Sequence, residues 1–221
     1  MRSKISPFTW VGLFISLFGF IALRLTFRAF GVSNSITADV CREFAVWIMA
    51  AVLIVLVRFG ERLSLKSVGL GTAPWRQSLR FGCILTGLCG VTAWIVILFT
   101  GYGHGPGSAE FNKEPIWFET LAVIRSGIVE ELFFRGYAIE RLESIGCGRV
   151  LSGAIPLAIF AATHWTGGIP NIIVALVVGA VLTLFYMWRR DLVANMIAHG
   201  LSDFLGLVLP RFFIDGFYRY L

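Results

Sequence analysis

The sequence predicts an all-α, polytopic transmembrane bundle of about seven helices (six to eight) with a cytoplasmic N-terminus. Three observations predict it. Hydrophobic residues make up 57% of the 221 residues, and the mean hydropathy is +0.80. Charged residues are 14%, against about 25% in an ordinary soluble domain, too few to cover a water-facing surface. The apolar residues also gather into seven runs, most of them close to the roughly 20 residues that carry a helix across the hydrocarbon. A disordered, collagen-like or soluble nucleic-acid-binding protein is excluded. The chain is placed in the cell membrane, with the lipid bilayer as its first partner and no nucleic acid among the others.

The runs fall at 8–30, 40–59, 81–99, 116–143, 150–166, 170–189 and 192–209. The first follows a basic start with Arg2 and Lys4. It is too long for a signal peptide and lacks a clear small-residue cleavage site, so it reads as a retained helix. The second and third flank a basic connector, 60–80, read as a cytoplasmic strip that meets lipid headgroups. A Gly-rich loop from Gly101 to Ser108, holding His104, precedes the fourth run, and Gly146 and Gly148 separate the fourth from the fifth. A last segment, 210–221, begins at Pro210 and reads as interfacial. The chain divides accordingly into 1–115, 116–209 and 210–221.

The net charge of +6 is topological in such a chain, since Lys and Arg collect on the cytoplasmic side. With the N-terminus inside, Arg2, Lys4, Arg58, Arg62, Lys66, Arg76, Arg80, Arg135, Arg141, Arg149, Arg189 and Arg190 lie towards the cytoplasm. Arg28, Arg42, Lys113, Arg211 and Arg219 lie opposite, while Arg24 and Arg125 fall within spans and read as paired or snorkelling. Cys41, Cys83, Cys89 and Cys147 form no CxxC pair and read as small buried hydrophobes.

An ionisable residue near the bilayer centre costs about 2.5–3.5 kcal/mol on insertion scales and is a functional candidate by default. Three clusters qualify. The fourth run holds Glu130, Glu131 and Arg135; the fifth ends in Phe160 and His164; the seventh holds Asn195, His199 and Asp203. Glu131 and Arg135 are four apart, in the order that favours an ion pair. Asn195, His199 and Asp203 repeat every four residues and make one polar stripe. Rise per residue places the clusters at similar depth, so they are able to meet.

These residues resemble the CPBP family, the CAAX prenyl endopeptidases and bacteriocin-processing or "abortive infection" proteins, which are glutamate-dependent intramembrane proteases. Glu130, Glu131 and Arg135 match its EExxxR motif, Phe160 and His164 its FxxxH, and His199 and Asp203 its HxxxN or HxxxD; the resemblance covers about 116–205. It implies a catalytic core at 116–209, a membrane-associated protein or peptide substrate, and water activated by Glu130 with His164. Glu131, held by Arg135, orients the helix and Glu130, and His199 helps to form the oxyanion hole. Asp203 stands where some members have Asn: it is protonated, or orients His199, or contributes to a metal site. Asn195 is a neutral donor candidate. No cofactor is implied.

Two alternatives stand beside this reading. A zinc-dependent membrane protease has adequate ligands in Glu130, His164, His199 and Asp203, although HExxH is absent. A non-enzymatic protein, a transporter or a bacteriocin-immunity protein or scaffold, also explains intramembrane carboxylates, although no repeat halves are visible. A serine protease is disfavoured, because Ser126 and Gly127 lack a GxSG context and Ser108 lies in a loop.

Overall fold

The computed structural model describes residues 6–32, 35–100 and 114–212, and no strand occurs among them. Among these residues seven long helices follow in chain order: α1 (Pro7–Ala29), α2 (Ile36–Gly60), α3 (Trp75–Thr100), α4 (116–144), α5 (Arg149–Thr163), α6 (Gly168–Arg189) and α7 (Leu192–Phe212). Arg2, Lys4, the Gly-rich loop with His104 and Ser108, Lys113, Arg219 and the chain beyond Phe212 lie outside the described residues.

Local chemistry sets the starts. Ser6 caps α1 by accepting from the Phe8 N–H, with Pro7 in the first turn, and Ser35 caps α2 by accepting from the Ala38 N–H. Both α2 and α3 begin several residues before their apolar runs. Their first turns are polar (Asp39 in α2, Arg76 and Gln77 in α3), so hydropathy does not report them. Asp191 caps α7, and its carboxylate also accepts from the Ser78 hydroxyl of α3.

Among the described residues five helices are long and apolar enough to cross a membrane: α1, α2, α3, α6 and α7. The protein is a multi-pass integral membrane protein. Its outward faces carry Phe99, Val150, Ile169 and Trp188, each more than two-thirds exposed, which lipid tolerates and water does not. The other two helices differ from expectation. With 15 residues, α5 is about 22 Å long, short of the roughly 30 Å hydrocarbon core. The α4 helix carries too many charges to face lipid, among them Arg125, Glu130, Glu131 and Arg135. From Ser126 to Leu142 it is buried against its neighbours almost continuously, so it is the bundle's axis and its polar residues face protein.

One end of the bundle is tied by ions. Arg141 pairs with Glu61 at 2.8 Å and donates to Ser67, while Tyr137 and Thr9 donate to the same Glu61 carboxylate. Arg190 pairs with Glu140 and Glu143, and the Arg190 carbonyl accepts from Thr72. These bonds hold Arg190 at φ 53°, a left-handed conformation, so that α6 can turn into α7 within two residues. The connector is therefore not simply a strip on headgroups: Val68 is fully buried and the Gly69 carbonyl accepts from Leu192 N–H. Its basic residues, Arg62, Lys66, Arg76 and Arg80, do stay exposed, as does Arg58 near the end of α2. Of the cysteines only Cys89 is buried; Cys41 and Cys83 are exposed and Cys147 is intermediate, a correction that follows from α2 and α3 turning one face to lipid.

Candidate active site

The site begins with an irregularity in α4. Between Ser126 and Tyr137 the helix is wound as a π-helix, with i→i+5 bonding, and α7 changes the same way at Phe204–Val208, immediately after Asp203. Such windings concentrate at functional sites. Here the π-helical stretch carries Glu130, Glu131 and Arg135. Close helix packing supplies the second condition. A Cβ on Gly127 would stand 2.8 Å from the Cα and N of Gly200, so α4 and α7 approach backbone to backbone one turn from the polar residues.

That approach brings the stripe of α7 onto Glu131. The carboxylate is completely buried. Its Oε1 accepts from Arg135 Nη1 and meets His199 Nδ1, both at 2.7 Å, and its Oε2 accepts from Asn195 Nδ2 at 3.0 Å. Arg135 is equally buried. It donates also to the Gly179 carbonyl and the Thr183 hydroxyl of α6, and its guanidinium lies over the Phe160 ring at 4.3 Å. A buried charge has to be paired and hydrogen-bonded to be tolerated, and this pair is. The expected ion pair is present, but Glu131 holds His199 and Asn195, not Glu130.

Phe160 joins the other groups. Its ring meets His164 at 4.7 Å, Phe134 at 5.3 Å and His199 at 6.0 Å. His164 stands at the C-cap of α5, where its Nδ1 lies 2.9 Å from the Phe160 carbonyl. A carbonyl only accepts, so Nδ1 carries the proton and Nε2 keeps its lone pair. Asp203 accepts from Ser126 Oγ at 2.8 Å, faces His199 Nε2 at 3.4 Å, and lies within electrostatic reach of His164.

Glu130 is set apart from this network. It pairs with Arg125 of its own helix, and Arg125 Nε donates at 3.0 Å to Glu43 of α2. Among the described residues it makes no hydrogen bond to His164 or His199, and its Oε2 takes no hydrogen bond and is not sealed from solvent. Arg125 is thus the paired residue expected. Arg24 is exposed and makes no ion pair among the described residues.

Two expected donors are otherwise engaged. Both Asn195 Nδ2 protons are committed, to Glu131 and to the Leu182 carbonyl, so this amide is not free to serve an oxyanion. His199 faces a carboxylate at each nitrogen, and only the longer contact, to Asp203, is weak enough to yield. Sequence reasoning missed Ser126, Glu43, Thr183 and the Gly127–Gly200 contact. Among the described residues no three His, Cys, Asp or Glu side chains are gathered to hold a metal ion. The four-ligand set of the zinc alternative is not assembled, since Glu130 is turned towards Arg125.

Residues 112–205 match the family model described as type II CAAX prenyl endopeptidase, Rce1-like. No curated protein and no solved structure matches the chain. The match spans α4 to the first two-thirds of α7 and agrees with the CPBP resemblance drawn from the three motifs. It supports, in general terms, a CAAX-type intramembrane endopeptidase.

Proposed function

We propose that the chain hydrolyses a peptide bond at the membrane with a water activated by Glu130 and His164, processing a CAAX-type or other C-terminal tail, or a leader. The observation that carries this reading is the division among the buried polar groups. Glu131, Arg135, the Asn195 amide protons and Nδ1 of His199 are committed to hydrogen bonds within the bundle, whereas Glu130, His164 and Asp203 keep unused capacity and partial exposure. A base needs a free lone pair within reach of water. Glu130 Oε2 and His164 Nε2 have one each.

In this mechanism water enters beside Glu130, gives up a proton to Oε2, and attacks the scissile carbonyl. His164 Nε2 holds that water and later relays the proton to the leaving amine. The developing oxyanion needs a donor, and His199 Nε2–H supplies it by leaving Asp203, whose contact is the longest in the network. Glu131 then acts at one remove, by keeping His199 in place from the opposite nitrogen. Asp203, with Ser126 on its other side, orients the same ring.

The test is a comparison of membrane proteomes from cells carrying the wild-type chain and Glu130→Gln, by mass spectrometry of protein termini. One or more termini are expected in the wild type and absent from Glu130→Gln at equal expression, and His164→Ala is expected to lose the same ones. A terminus set identical in wild type and Glu130→Gln sinks the proposal and returns the non-enzymatic alternative.

A further inference from the structure

Glu130 does not own its guanidinium. Arg125 is shared between Glu130 and Glu43, and its Cζ lies 5.8 Å over the Phe20 ring of α1. The three charged side chains are 12–15% exposed, so they interact across protein and little through water. Glu43 and Phe20 belong to helices outside the family-matched residues. The three helices α1, α2 and α4 therefore converge on one cation next to the carboxylate assigned as the base.

We propose that Arg125 and Glu43 are positioning residues that let Glu130 accept a proton, an inference that rests on the reading of Glu130 as the base. Two carboxylates and one guanidinium sum to a single negative charge at rest. When water transfers its proton to Glu130 Oε2, the electron pair stays on oxygen, and the hydroxide forms a bond to the scissile carbonyl carbon. The triad is then neutral, because Arg125 remains paired with Glu43. Without the Glu43 charge, the same proton leaves a guanidinium unpaired inside the bundle, which is strongly unfavourable. Glu43 thus takes over the cation as Glu130 releases it. When the proton passes to the amine nitrogen and the C–N bond breaks, the hydroxide oxygen stays in the new carboxylic acid and Glu130 recovers its share of Arg125.

A tie between α2 and α4 that only held the fold together would behave differently. The experiment uses the full chain in proteoliposomes and a fluorogenic peptide spanning a terminus mapped by the proteome comparison. Glu43→Gln is expected to lower kcat by about 10- to 100-fold, within the range of acid–base contributions, with KM and Tm unchanged. Glu43→Asp keeps the charge and is expected to restore most of the rate. Arg125→Lys keeps the cation but loses the two-pronged geometry and is expected to fall between Glu43→Asp and Glu43→Gln. In a Glu130→Gln background, Glu43→Gln is expected to add nothing. Wild-type kcat in Glu43→Gln overturns the inference, and so does a loss that appears in KM and Tm together. Cleavage surviving in Glu130→Gln is a separate result, since it removes the assignment of the base itself.

Discussion

Glu130 and Glu131 are neighbours with the same side chain, and the bundle treats them in opposite ways. Glu131 is sealed, with both oxygens occupied by Arg135, His199 and Asn195. Glu130 is 13% exposed on a different side of the helix, with one oxygen on Arg125 and the other unengaged. Similar chemistry in two environments is how proteins divide roles between paired carboxylates. The sealed one is suited to hold others still, and the open one to change its protonation. Stability and activity are therefore expected to separate between the two positions.

The largest effect comes from opening the sealed network. Arg135→Met takes the guanidinium away from the buried Glu131 carboxylate and leaves it only His199 and Asn195, and removal of one partner from a buried pair costs about 3–5 kcal/mol. Unfolding in detergent, followed by temperature or denaturant, should show a marked loss of stability. Glu130→Gln should melt near the wild type, because Arg125 keeps Glu43. A melting curve of Arg135→Met that overlays the wild type breaks the comparison.

Much of this division could be read in the sequence, for a reason tied to particular residues. Charges are scarce in an apolar run, so Glu130, Glu131, Arg135, His164, His199 and Asp203 stand out. The pairs spaced by four, Glu131–Arg135 and His199–Asp203, follow from ordinary helical geometry and are present. Arg125 and Glu130 are five apart, which in an α-helix turns them to different faces. The winding that begins at Ser126 allows them to meet, and no composition or period announces it. Glu43 is illegible for another cause: its partner lies 82 residues away in sequence, and only the tertiary fold joins them. The central position of α4 was hidden likewise, because hydropathy does not distinguish a helix wrapped by protein from one wrapped by lipid.

The second effect sharpens the comparison by moving helices without touching a polar residue. Gly127→Ala puts a Cβ 2.8 Å from the Gly200 backbone and 3.0 Å from the Met196 carbonyl. Backbone cannot rotate away, so α7 has to shift, at a cost of about 1–3 kcal/mol typical of overpacking. His199 and Asn195 then withdraw from Glu131, and activity should fall along with stability. Gly200→Ala is the control, since its Cβ meets Gly127 Cα at an ordinary 3.8 Å and should leave both nearly unchanged. Equal responses from the two glycines, in melting temperature and in cleavage rate, count against the contact as the feature that sets the site.

The smallest effect tests the border between the two regions. Ser126 donates to Asp203 at 2.8 Å, and Asp203 is the residue through which His199 reaches the open side. Ser126→Ala removes that donor and leaves the carboxylate its longer contact with His199. A hydrogen bond to a charged group contributes roughly 1.5–3 kcal/mol when fully buried. The Asp203 side chain is 31% exposed, so water replaces much of the loss, and about 1 kcal/mol or less is expected in stability. The rate should fall as well, because Asp203 restrains His199. Freed from Ser126, Asp203 turns fully onto His199 Nε2 and holds the donor that the oxyanion requires, so kcat falls a few-fold while KM stays constant. Ser126→Thr keeps a hydroxyl in place and should recover the rate. An unchanged kcat in Ser126→Ala means that Asp203 belongs with the sealed network, and the boundary then runs between Asp203 and Glu130, not between His199 and Asp203.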